Sequence, residues 1–205
     1  MRLSLIICTY MRPQPLLHLL QSVQNQTRYP DAIWIVDGST DTATETILQE
    51  QHFPNLVYHR VTPSERGLTQ QRNIGVAFAK ETADVLSFLD DDTVLDEWYF
   101  EAIEASFEAN PEVLGVGGYI TNEVTWELSA EKEPSRRDEF YFDGWKRKDG
   151  SRFVLRKRLG LDADLPPGYM PTFGHGRSIG FLPPSGKVYP VEQLMGGVAS
   201  YRTAV

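Results

Sequence analysis

Through the first half of the chain, short unbroken apolar runs alternate with stretches whose apolar positions recur every three or four residues. Residues 3–8, 33–36, 56–58 and 85–89 are apolar runs of strand length and are expected to form buried strands. The intervening stretches predict helices. The first follows Pro13 and Pro15, residues suited to a helix start, and places Leu16, Leu19, Leu20 and Val23 on one face. A second follows Ser39, Thr40 and Asp41, which favour helix caps, and runs to about Gln51. The third comes after Gly67 and contains residues 70–80; the fourth comes after Asp96, with Tyr99, Ile103 and Phe107 at four-residue spacing. Residues 113–118 suggest a fifth strand, and residues 188–202 a further strand and helix.

Strands separated by single helices imply right-handed crossovers, and hence an α/β fold: a mixed, mainly parallel sheet with helices on both faces. Such sheets bind ligands outside the carboxyl ends of their strands. Thr9, Asp37 and Asp90 each stand directly after a predicted strand.

Length and composition add bounds. At 205 residues, 41% hydrophobic and 23% charged, the chain suits one globular domain spanning residues 1–205. Between residues 121 and 190 the periodicity decays into charged sequence bearing proline and glycine, with no repeat. Cys8 is the lone cysteine, so an intrachain disulfide is excluded and a reducing, cytoplasmic setting is favoured, with membrane association through further sequence left open. The opening apolar run is shorter than a signal-peptide core, and no stretch approaches the roughly 18 apolar residues of a membrane span. A net charge of −8 argues against nucleic acid as a partner. Residues 146–158 reverse that sign: seven Lys and Arg residues are opposed only by Asp149. This segment could meet an anionic acceptor or lipid headgroups as a peripheral membrane contact, or simply be a solvated loop or hairpin.

Asp90, Asp91 and Asp92 place three carboxylates together after an apolar strand. They repel one another, and a divalent cation taking oxygen ligands, Mg²⁺ or Mn²⁺, is the natural remedy. The alternative is an acidic turn leading into the fourth helix.

Context extends the pattern. Residues 4–13, the segment Ile-Trp-Ile-Val-Asp-Gly-Ser-Thr-Asp at 33–41, Gly-Leu-Thr-Gln-Gln-Arg-Asn-Ile-Gly at 67–75 and Phe-Leu-Asp-Asp-Asp at 88–92 occur in order at strand-and-helix spacing. Together they resemble family 2 glycosyltransferases, enzymes of the GT-A (Rossmann-like) fold. The resemblance covers residues 3–118 and returns at 192–202, where Leu-Met-Gly-Gly followed by Tyr201 and Arg202 looks like the family's acceptor-side motif. It divides the chain into a nucleotide-sugar half, residues 1–120, and an incomplete acceptor half, residues 121–205.

The resemblance implies a site. Thr9, Tyr10 and Arg12 match the turn where the nucleotide packs, and Asp37 matches the acid that recognises the base, although it can equally be a turn-forming Asp. Here one residue separates Val36 from Gly38 where two are common, which leaves the base open. Arg72 matches the arginine of the Ala-Arg-Asn motif and would face phosphate or base. Asp90 and Asp92 match the Asp-x-Asp (DXD) signature, with Asp92 the direct metal ligand, Asp90 near ribose or metal, and Asp91 in the variable middle position on the nucleotide-sugar side. Glu192, Gly196 and Gly197 fall on the acceptor side, where the paired glycines either admit a sugar or open a helix. The implied activity is metal-assisted transfer of a sugar, most often UDP-linked, to a carbohydrate, lipid-linked or other hydroxyl acceptor with inversion. The family's general base falls past the Gly-Gly segment and is therefore expected beyond Val205, in a longer natural chain.

Two rivals remain. Asp90 to Val94 also fits the nucleophile motif of haloacid-dehalogenase phosphatases, but that leaves the three earlier motifs unexplained. The same fold without turnover would be a nucleotide-binding module. The histidines show no ligand spacing, and Gly174-His175-Gly176-Arg177 lacks the strand and helix that a phosphate loop needs.

Overall fold

The computed structural model describes residues 1–122, 124–129 and 138–204. In chain order its elements are β1 (Leu3–Thr9), α1 (Pro13–Gln24), β2 (Ala32–Asp37), α2 (Ala43–Glu50), β3 (Leu56–Arg60), α3 (Leu68–Ala79), β4 (Val85–Asp90), α4 (Tyr99–Ala109), β5 (Gly115–Gly117), β6 (Glu127–Leu128), β7 (Glu139–Phe142), β8 (Trp145–Lys148), α5 (Ser151–Arg158) and β9 (Val198–Arg202). Two compact units result: Met1–Gly118 with Met195–Val205, and Tyr119–Leu194.

The first unit is an α/β layer structure around a six-stranded sheet of order β3-β2-β1-β4-β9-β5. The β1–β2, β1–β4 and β2–β3 pairings are parallel, while β9 runs antiparallel to both β4 and β5. Burial on both faces explains the unbroken apolar runs of the central strands. Leu5, Ile7, Ile33 and Ile35 are wholly inaccessible. In α1, Pro13 supplies the fixed φ of a first turn, and the predicted stripe of Leu16, Leu19, Leu20 and Val23 is the buried face. On α4 the buried face is Phe100, Ile103 and Phe107. Tyr99 is instead half-buried, with its ring against the α-carbon of Gly118.

One crossover fixes where a ligand can enter. From β1 the chain winds outward through β2 to β3, then returns to lay β4 on the other side of β1. The loops leaving β1 and β4 therefore diverge to opposite faces, and a crevice opens between their carboxyl ends.

The expected helix within residues 188–202 is not there. That stretch holds only β9, whose Val198, Ala199 and Ser200 are buried. Gly196 and Gly197 precede a strand rather than open a helix, since backbone approach to the neighbouring strand, not capping, is what the pair provides.

The second unit contains a three-stranded antiparallel sheet, β6-β8-β7, followed by α5. Its centre is Arg177, buried with its guanidinium over the rings of Phe140, Phe153 and Phe181 at 4.1, 4.4 and 4.9 Å. Asp149 meets it at 2.7 and 3.1 Å and Asp162 at 2.8 Å. A buried cation needs such partners, and these acids supply them. Residues 174–177 thus carry a structural cation. The basic segment at 146–158 is a hairpin strand and a helix. No helix among the described residues is long and apolar enough to cross a membrane.

Candidate active site

Between the carboxyl ends of β1 and β4 lies an open cavity of about 620 Å³, lined by Thr9, Tyr10, Arg12, Asp90, Asp91 and Asp92 together with Cys8, Arg66, Gly67, Leu68 and Gln71. The cavity gathers the β1 turn and the acidic triplet, and the geometry separates the three acids by role.

Asp91, read from sequence as the variable member, is the buried one. Its carboxylate accepts a hydrogen bond of 2.7 Å from the Thr9 hydroxyl and another of 2.7 Å from Arg12. Burial pushes the Asp91 carboxyl above its ordinary value, against the opposing pull of Thr9 and Arg12. The second guanidinium nitrogen of Arg12 reaches Asp92 at 2.9 Å, so one arginine spans two acids. Asp90 and Asp92 are both about half exposed. Arg72 donates to Asp90 at 3.2 Å and to the Gly196 carbonyl at 2.8 Å. The mutual repulsion of the triplet is thus relieved by two arginines on separate elements.

Glycines set the spacing on the β9 side. A Cβ on Gly197 would stand 2.2 Å from the Asp90 Oδ2, and the Asp90 amide donates to the Gly197 carbonyl at 3.0 Å. At Gly196 a Cβ would lie 3.2 Å from the Arg72 guanidinium. In this structure the pair brings backbone against the acid and the arginine. Glu192 belongs to the other unit, where it accepts from the Met170 amide at 2.8 Å while its own amide donates to Gly168 at 2.9 Å.

Asp37 is fully buried and does not line the cavity. One oxygen accepts from the Ser39 amide at 2.7 Å and the other from the Tyr58 hydroxyl at 2.8 Å. Burial raises the Tyr58 hydroxyl above its ordinary value, and the bond to Asp37 raises it further. The bond to the Ser39 amide is that of a turn-forming Asp after β2. The expected general base past Val205 lies outside the described residues.

Sequence reasoning missed Gln71. Buried in the first turn of α3, its amide donates to the carbonyls of Thr9 at 3.1 Å and Val36 at 2.8 Å. It ties the ends of β1 and β2 to the helix that carries Arg72. A glutamine beside a glycine-started helix gives no periodicity signal, so only the fold shows it. Cys8, on the cavity wall, is pushed by burial to about 12, which keeps it a thiol.

Asp90 and Asp92 are hard oxygen donors opening onto the cavity, the chemistry Mg²⁺ or Mn²⁺ takes. Among the described residues no three His, Cys, Asp or Glu side chains converge on one point. Two carboxylates fit an ion that draws its remaining ligands from a substrate's phosphates.

Comparison with known proteins gives this geometry a context. Residues 4–162 match the model of glycosyl transferase family 2. A glucosyl-dolichyl phosphate glucuronosyltransferase of Haloferax volcanii is 27% identical over 145 residues, covering 69% of this chain and 44% of the relative. Among solved structures, the mannosyltransferase PcManGT of Pyrobaculum calidifontis, in complex with GDP-Man and Mn²⁺, superposes with a TM-score of 0.52 at 18% identity, covering 98% of this chain and 44% of that one. The 1–349 fragment of S. aureus TarS in complex with UDP-GlcNAc gives 0.52 at 15% identity, covering 78% and 48%. The chain thus spans under half the length of each relative (44%, 44% and 48%), and the structural likenesses establish the fold.

Proposed function

Given that the chain belongs to glycosyl transferase family 2, we propose that the cavity between β1 and β4 holds the diphosphate of a nucleotide-sugar, UDP-linked, for metal-assisted transfer to an acceptor hydroxyl with inversion. The observation that carries this reading is the set of acids paired to Arg12 and Arg72 at the switch point of the sheet. A site with both signs of charge in a crevice suits a phosphate ligand that brings its own cation.

Before the donor arrives, Arg12 holds Asp91 and Asp92 compensated, so the acids can stand together on one turn. Thr9 fixes Asp91 in place and leaves the flanking acids facing the cavity. Arg72, one nitrogen of which donates to both Asp90 and the Gly196 carbonyl, presents a planar cation for the departing phosphates. Mg²⁺ or Mn²⁺, held by Asp90 and Asp92, would supply further positive charge for the leaving diphosphate. In the proposed transfer the acceptor oxygen forms a bond to the anomeric carbon as the bond from that carbon to the diphosphate breaks. The electron pair leaves with the diphosphate, and a base takes the hydroxyl proton.

The S. aureus and Pyrobaculum structures carry UDP-GlcNAc and GDP-Man respectively, which supports a nucleoside diphosphate sugar and leaves the base to experiment. A lipid-linked hydroxyl is the acceptor class suggested by the dolichyl-phosphate relative. Calorimetric titration with UDP, GDP, ADP and UMP in Mn²⁺ tests the donor reading. UDP should bind tightest and UMP much more weakly; failure of every diphosphate to bind contradicts it.

A further inference from the structure

Helix α5 is amphipathic the wrong way round for a helix that only needs solvation. Its inner side is fixed by named contacts: the Phe153 ring lies 4.7 Å from that of Phe181, the Arg177 guanidinium is over Phe153 at 4.4 Å, and Lys157 reaches Asp149 at 2.6 Å and the Glu139 carbonyl at 2.6 Å. These contacts set the rotation of the helix. The outward side is then Arg152, Leu155 and Leu159, three and four residues apart and therefore one stripe. Leu155 is 56% exposed and Leu159, just past the helix end, 62%. Arg156 and Arg158 flank them, and the helix carries no acid. Arg152 and Arg158 make no ion pair among the described residues.

A further segment runs beside the chain that leaves the helix. Asp162 bridges to His175, and a Cβ on Gly174 would stand 2.9 Å from the Leu161 carbonyl, so residues 173–175 run beside the chain leaving α5. Phe173, at the head of that segment, is 75% exposed.

Arginines alone are explained by solubility and by the favourable field of a helix carboxyl end. Exposed leucines between them are not, because each leaves apolar surface in water. A phase that is anionic at its surface and apolar beneath satisfies both at once. We propose that the outward face of α5, Arg152, Leu155, Arg158 and Leu159, is a docking surface for an anionic lipid bilayer. The guanidinium groups meet headgroup phosphates, and the leucines enter the headgroup–acyl boundary. Against a net charge of −8 for the whole chain, α5 presents a local cationic face to such a surface. The inference does not depend on the donor reading above.

Vesicle flotation of the 205-residue chain tests it, with phosphatidylcholine vesicles containing phosphatidylglycerol set against phosphatidylcholine alone. Binding to the anionic vesicles and not the neutral ones is expected, weakening in high salt. Each cation near an anionic surface contributes about fivefold, so the double variant Arg152→Glu with Arg158→Glu should lower partitioning by about 25-fold or more. Leu155→Gln with Leu159→Gln should lower it about tenfold or more. Both variants change only outward positions, and circular dichroism melting and calorimetric UDP binding should match the parent, which separates loss of docking from loss of fold or of donor site. No binding to anionic vesicles, equal binding to neutral ones, or undiminished binding by both variants would overturn the proposal. So would self-association abolished by the leucine changes in a chain that ignores vesicles.

Discussion

At the scale of single residues, Gly197 and Arg72 make opposite demands on the same acid. Gly197 leaves Asp90 room, and its replacement by Ala forces a Cβ to 2.2 Å from the Asp90 Oδ2, so either β9 or the carboxylate must shift. Because Asp90 is at the cavity rim, the carboxylate moves more easily than the paired strands. Gly197→Ala should therefore cost about 1–3 kcal/mol of stability and weaken diphosphate binding as well. Melting and calorimetry of the same sample check both; loss of neither would mean the approach is looser than it looks. Arg72→Lys keeps the charge but removes the planar guanidinium, one nitrogen of which donates to both Asp90 and the Gly196 carbonyl while the rest is left for a phosphate. A loss of about 1–3 kcal/mol in diphosphate binding is expected, and unchanged affinity would return Arg72 to a surface role. Met11 sits at φ +56°, where Asn is favoured over other side chains, with its amide bonded to Ser39 at 2.8 Å. Met11 thus carries backbone strain in the turn.

At the scale of elements, α3 lies close on β1 because Gly75 has no side chain: a Cβ there would meet Ile6 Cγ2 at 2.5 Å. Helix propensity alone says Gly75→Ala stabilises by about 1 kcal/mol. Overpacking against a central strand says it destabilises by about 1–3 kcal/mol, and packing should win because β1 is held on both edges. Chemical denaturation decides the sign. The elements legible in the sequence are those whose burial writes a period: the stripe of α1 and the apolar runs of β1, β2 and β4. Short, loop-bound elements were not legible. β9 has only five residues behind two glycines, and its buried Val198, Ala199 and Ser200 are consecutive, so no alternation separates a strand from a strand and helix there. Asp91 and Gln71 were hidden for another reason: their importance lies in hydrogen bonds to distant Thr9 and Val36 that no local pattern records. The Arg177 centre, with partners at 149 and 162, is likewise invisible until the second unit is folded.

At the scale of the molecule, the first unit is clasped by charge where its amino terminus meets α4. Arg28 bonds Glu104 at 2.8 Å and Asp31 at 2.7 Å, while the terminal amine lies 3.2 Å from Glu104. Burial pushes the Asp31 carboxyl up, but the Leu3 amide and Arg28 outweigh it and hold it below its ordinary value. Glu104 is likewise pushed up by burial and held lower on balance by Arg28 and the terminal amine. Lowered folded values mean that the unfolded chain binds protons first on acidification. This stabilisation is therefore present above the ordinary values of 3.8 and 4.5 and is lost as pH falls through the lower, folded ones. Arg28→Met should be less stable than the parent at neutral pH, with the gap closing as pH falls below the ordinary values and through the lower, folded ones. A gap independent of pH would assign Arg28 a packing role only.

In the proposed function the acids and arginines of the β1–β4 crevice act as a phosphate and cation site. Calorimetry of UDP binding with Mn²⁺ present, and again with a chelator, tests that claim most directly, run on the parent and on Asp92→Asn. The parent should bind at least about tenfold tighter with the ion, a difference of about 1.4 kcal/mol. Asp92→Asn, which removes one charge while nearly keeping the shape, should erase most of that difference. Equal affinity of the parent in both conditions would contradict the metal-assisted reading of the crevice.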